Sequence, residues 1–169
     1  MLTAKKTRKV IVLGMGNLLL KDEGIGVHVV QTMQGTPSPT GIDMEVIDGG
    51  TLPDIVPLEG VDKLIVVDAV NGGGEAGTVY RFHPEDISIE SGTATSLHQL
   101  SLIENLALMA QFGEIPEEVI IIGIEPQEID SGLEPSAKLQ KLMPRIIEIV
   151  MAEVRAEPPI EPEKGEESR

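Results

Sequence analysis

The 169-residue chain has no cysteine, no tryptophan, one tyrosine and two phenylalanines. Without cysteine there are no disulfides, thiolate zinc sites, iron–sulfur clusters or cysteine nucleophile. Any metal must be held by oxygen or imidazole, and the imidazoles are His28, His83 and His98. The few aromatics imply an aliphatic core and leave little on which nucleic-acid bases could stack. Basic residues are also scarce: 13 Lys+Arg face 28 Asp+Glu, for a net charge of −15. A nucleic-acid partner, which needs a basic face to displace counterions, is therefore not expected. No segment approaches the run of about eighteen apolar residues that spans a membrane, so no membrane partner is expected.

What is present fits one domain, expected over residues 1–155. Lys5, Lys6, Arg8 and Lys9 precede the aliphatic Val10–Leu13, an arrangement that also opens secretory signals. The apolar run breaks at once at Gly14-Met15-Gly16-Asn17, and no small-residue cleavage site follows. It reads instead as a cationic lead-in to a buried strand in a cytoplasmic protein. Residues 156–169 alternate proline with charge and are expected to form a disordered acidic tail.

Short aliphatic runs at Val10–Leu13, Leu64–Val67 and Val119–Ile124 have the pattern of buried strands, and Met44–Ile47 reads as a further strand ending at Asp48-Gly49-Gly50. Thr78–Phe82 reads as a more exposed strand. Ile25, Val29 and Met33 recur at helical spacing behind Asp22. Ser96-Leu97-His98-Gln99 matches a capping box before Leu100, Ile103, Leu106, Ala107 and Ala110. A short helix capped by Thr51 is expected over residues 51–58, and a long final one carries Leu139, Leu142, Ile146 and Val150. This alternation predicts an α/β three-layer sandwich: a mainly parallel sheet of about five strands, one neighbour antiparallel, with helices on both faces.

Ligands of such sheets bind beyond the carboxyl ends of the strands, so the informative residues follow Leu13, Ile47, Val67 and Ile124. After Leu13, Gly14-x-Gly16 suggests a dinucleotide fingerprint, but Leu19 stands where the third glycine belongs. No Gly-Lys-Ser/Thr of a phosphate loop is present. Asp22 and Glu23 suit a helix start, Asp22 as cap and Glu23 in the first turn, or alternatively serve a site. Asp68, directly behind four aliphatic residues, needs a partner for its charge: loop amides, a basic group or a metal. His98, in the first turn of its helix, is kept neutral by the positive dipole end, the form that binds metals or accepts protons. His28 and His83 read as packing and turn residues. Glu23, Asp68 and His98 thus offer two oxygens and one nitrogen from separate segments, with coordination positions left for substrate or water.

In order along the chain stand Leu13-Gly14-Met15-Gly16-Asn17, Asp22-Glu23-Gly24-Ile25-Gly26, Asp48-Gly49-Gly50-Thr51 and Asp68-Ala69-Val70. Gly77-Thr78, Ser96-Leu97-His98, Gly123-Ile124-Glu125-Pro126 and Gly132-Leu133 follow. The ordered set, over about residues 9 to 152, resembles the nickel–iron hydrogenase maturation endopeptidases. The resemblance implies one cleavage near the C-terminus of a hydrogenase large-subunit precursor after nickel insertion. It implies Glu23, Asp68 and His98 as metal-contacting and catalytic residues, with nickel carried by the substrate. It departs at Ala76, where the family often has proline. A monomer is expected, with the large-subunit precursor as partner. A non-catalytic chaperone of the nickel-loaded subunit would use the same motif residues; mass spectrometry of the precursor separates the two.

Overall fold

The computed structural model describes residues 6–50, 58–86, 107, 111 and 115–159. Strand β1 (Arg8–Gly14) leads through a 3-10 turn (Lys21–Gly24) into helix α1 (Ile25–Met33) and strand β2 (Ile42–Asp48). Strands β3 (Lys63–Ala69), β4 (Val79–Phe82) and β5 (Glu118–Ile124) follow, and helix α2 (Ala137–Arg155) ends the described order. The sheet runs β2-β1-β3-β5-β4. All pairings are parallel except β4 with β5, so β4 is the expected antiparallel neighbour and lies at the edge.

The aliphatic runs of β1, β3 and β5 become the three inner strands because both their faces are covered, while β2, with no buried residue, forms the edge opposite β4. Val10, Val12, Ile65, Val67, Ile120 and Ile122 point to a core closed by Val29, Val30 and Met33 of α1 and Leu139, Ile146 and Val150 of α2. The alternate residues Ile11, Leu13, Leu64, Val66 and Ile121 are equally buried on the other face, with Leu58 and Val61. The helix expected behind Ser96 lies outside the described residues apart from Ala107 and Gln111. Of its predicted stripe, only Ala107 is a described residue, and it is helical. The short helix expected after Thr51 lies outside the described residues apart from Leu58, which is buried and not helical. Beyond α2, the Ala156 carbonyl accepts a bond from the Arg8 guanidinium at 2.9 Å. Residues 160–169 of the expected tail lie outside the described residues. No described helix is long and apolar enough to cross a membrane.

A buried ionic cluster ties the amino ends of β3 and β5 to α2. Lys63 is fully buried at the start of β3. Its Nζ donates to the Glu153 carbonyl and to Glu153 Oε1, both at 2.8 Å, and lies 3.3 Å from Glu118 Oε1. Arg81 of β4 donates twice to the same Glu153 carboxylate, at 2.8 and 2.9 Å. Burial acts to raise the Glu153 pKa, but the bonds from Arg81 and Lys63 outweigh it and bring it down to about 2.

Candidate active site

Strand order places the site. From β1 the chain turns outward through α1 to β2, and β3 then returns on the other side of β1. The loops leaving β1 and β3 therefore diverge, and the carboxyl edge at such a switch point is where ligands of these sheets bind. Gly14 pairs with Val67, so Asp68 stands one residue beyond the last paired position of β1.

Glycines let the first turn close on this edge. A Cβ on Gly26 would collide with the carbonyl oxygens of Val67 and Met15, and one on Gly14 with that of Gly26. Gly16, at φ +145°, backs onto the Glu23 carbonyl. These glycines bring the start of α1 against β1 and β3. They are used for backbone packing, which accounts for a glycine pattern that fails as a nucleotide fingerprint.

The 3-10 turn Lys21–Gly24 packs against β3 and carries Glu23, half-buried, toward the edge. Asp68 lies within β3, which runs two residues past the aliphatic stretch, and its side chain is 2% exposed. Its Oδ1 accepts the N–H of Ala69 at 2.9 Å. Burial is the main cause that lifts its pKa, to about 8; the Ala69 bond acts against this and the nearby Glu23 charge adds to it. Glu23 thus lies close enough to Asp68 for its charge to act on it. Among the described residues no group of three metal-binding side chains forms. His98, the third residue expected at the site, lies outside the described residues.

Asp22 departs from its expected cap role. Helix α1 starts at Ile25 with Gly24 as cap, and no side chain caps the 3-10 turn. Asp22, fully buried, instead accepts three backbone N–H groups from a distant segment: Ser136 at 2.6 Å on Oδ1, and Gln127 and Glu128 at 2.9 Å on Oδ2. The two loops are further joined by the Lys21 N–H on the Gly132 carbonyl (3.0 Å), the Gly132 N–H on the Leu19 carbonyl (2.9 Å) and the Asp22 N–H on the Glu128 carbonyl (3.1 Å). Lys21 takes a left-handed backbone (φ 49°) to enter this pairing.

Glu125 was not singled out, although it follows Ile124 directly. It is 8% exposed and accepts the Gly72 N–H at 2.7 Å and the Tyr80 hydroxyl at 3.0 Å. Tyr80 Oη in turn accepts the Gly74 N–H at 3.0 Å. Glu125 so holds the glycine loop that begins after Asp68. Its place after a buried strand was the available signal. Of the other histidines, His28 lies in α1, where burial lowers its pKa, and His83 precedes the short turn Pro84–Asp86.

Comparison with known proteins agrees with this fold. Residues 27–153 match the family model described as hydrogenase maturation protease. The chain is 36% identical over 146 residues to the hydrogenase expression/formation protein HupD of Thiocapsa roseopersicina, covering 82% of this chain and 64% of that protein. It is 29% identical over 151 residues to the hydrogenase 2 maturation protease of Escherichia coli, covering 87% and 91%. Among solved structures, the hydrogenase maturating endopeptidase HybD of E. coli superposes with a TM-score of 0.68 at 27% identity, covering 87% of this chain and 92% of that one. The extent of the matched segment and the superposed fold agree: the chain belongs to the hydrogenase maturation protease family.

Proposed function

We propose that this chain is an endopeptidase that removes a C-terminal peptide from the nickel-loaded precursor of a hydrogenase large subunit. The observation that supports the reading is the buried Asp68 at the switch-point edge of the sheet, within reach of the Glu23 charge, in a chain of this family. Nickel is part of the substrate, held by the precursor's own thiolates. Glu23, Asp68 and His98 complete its coordination, His98 on the strength of the sequence motif.

The chemistry of the two carboxylates fits this role. A buried carboxyl beside a second one is poorly stabilised as an anion, and a cation arriving with the substrate relieves both. Docking of the metal then fixes the scissile bond against the sheet edge, so that recognition becomes positioning. The same cation polarises the peptide carbonyl or activates a water for attack. A chain without cysteine offers no thiolate to draw nickel away from the precursor.

The test incubates the protein with a precursor, once nickel-loaded and once nickel-free, and follows the precursor mass. Loss of a C-terminal peptide from the loaded form alone is expected. An unchanged mass with stable binding identifies a chaperone and overturns the protease reading. Glu23→Ala, Asp68→Ala and His98→Ala each abolish cleavage; full activity in one of them removes that residue from the site.

A further inference from the structure

Among the described residues, the large aliphatic side chains that stand out in solvent are Leu19 (64% exposed), Ile129 (48%) and Leu133 (67%). They are far apart in sequence but not in the fold. Leu19 and Gly132 are bonded backbone to backbone, with Leu133 next in the chain. Ile129 follows Glu128, whose N–H is held by Asp22. All three therefore ride on the two loops that Asp22 ties together, and Glu23 is the next residue after Asp22.

Isolated exposed leucines need no explanation, but the gathering of all three on one pair of loops marks an interaction surface. The loops are also fixed rather than free, with Asp22 fully buried beneath them. A surface ordered before binding loses less entropy when it is covered. Its charge is acidic: Lys21 is paired with Glu128, while Asp130 and Glu134 on the same loop are exposed.

We infer that the paired loops carrying Leu19, Ile129 and Leu133 form a docking surface for the substrate chain, seating an apolar, basic-flanked segment beside the scissile bond. The inference rests on the proposed protease reading and deepens it. The occupant is the substrate, because the turn that Asp22 ties to these loops also carries Glu23: a chain whose cleaved bond reaches that carboxylate is brought beside them. The acidic border selects basic flanks. The carboxylates would act on the reacting end, and the aliphatic side chains would supply affinity away from it.

The test compares wild-type protein with Leu19→Ser/Leu133→Ser on purified full-length nickel-loaded precursor, measuring kcat and KM separately. Both side chains are exposed, so the double variant is expected to melt with the wild type. Its KM is expected to rise by about ten- to a hundredfold, the range for losing two anchoring side chains, with kcat within about twofold. The Leu19→Met/Leu133→Met variant is expected to restore KM. An unchanged KM in the serine variant overturns the inference, as does a loss confined to kcat, which would mean that the loops only support the site. A wild-type dimer by sedimentation that the serine variant dissolves also overturns it, since a second copy would then own the surface. If the wild-type protein neither cleaves nor binds the precursor, the protease reading itself fails and this inference with it.

Discussion

The backbone N–H of Ser136 donates to the Asp22 carboxylate at 2.6 Å, across 114 residues of chain. With the Gln127 and Glu128 amides on its other oxygen, Asp22 is the pin between the turn that carries Glu23 and the loop leading into α2. Asp22→Ala leaves three amides without this acceptor. A loss of about 3 kcal/mol is expected, because the Ser136 donor is buried and the Gln127 and Glu128 donors are partly so, and an unsatisfied buried donor costs about 1–3 kcal/mol. For a domain of this size that lowers the melting temperature by roughly 6–12 °C. Calorimetry checks it; a variant that melts with the wild type would show that the pin is dispensable.

Glu153 sits under two cations, and its role is testable by pH. Its pKa of about 2 in the folded protein lies below the ordinary 4.5, so its stabilisation is present above the ordinary value. That stabilisation is lost as pH falls from about 4.5 through about 2. Glu153→Gln removes this slope. At pH 7 the variant is expected to lose about 3–5 kcal/mol, because it leaves the fully buried Lys63 with a weaker partner. Urea unfolding at pH 7 and at pH 3 should show a difference from wild type that is larger at pH 7.

The α/β sheet was legible because its three inner strands, β1, β3 and β5, are continuous aliphatic runs and its edge strands, β2 and β4, are interrupted by polar residues. The burial of Asp68 was legible for the same reason: a carboxylate directly behind four buried residues is carried into the sheet with them. Asp22 was misread because an aspartate before a helical pattern has an ordinary local use as a cap. Its actual partners are more than a hundred residues away, and no local spacing reports them. Glu125 stood at a strand end already marked as informative, but its bonds go to Gly72 and Tyr80, a pairing that only the sheet order creates. The glycines looked like a nucleotide motif because close backbone packing and phosphate binding call for the same residue.

Gly26 gives a direct test of that packing. A methyl group there meets the carbonyls of Val67 and Met15, neither of which is the end of a flexible side chain. Gly26→Ala must push the start of α1 away from β3. A destabilisation of about 1–3 kcal/mol is expected, as for other overpacked interiors. The separation of Glu23 from Asp68 would grow with it, so precursor cleavage should fall by more than the stability loss explains. Normal cleavage by a folded Gly26→Ala protein would show that this contact does not set the site.

Asp68 should weaken the fold that holds it. In the metal-free protein its pKa is raised from 3.8 to about 8, chiefly by burial. Between those values the unfolded chain has released the proton while the folded protein keeps it. Raising the pH through this window therefore favours unfolding, by up to about 1.4 kcal/mol per pH unit for one group. The stabilisation is complete below the unfolded value and lost as pH rises through about 8. Asp68→Asn keeps an oxygen for the Ala69 N–H and has no proton to release. It is expected to melt higher than wild type at pH 7–8, to match it near pH 4, and to cleave no precursor. Melting curves across that range decide the matter. If both proteins change in parallel with pH, Asp68 is charged in the folded state, and the poor stabilisation of its anion assumed for the site is wrong.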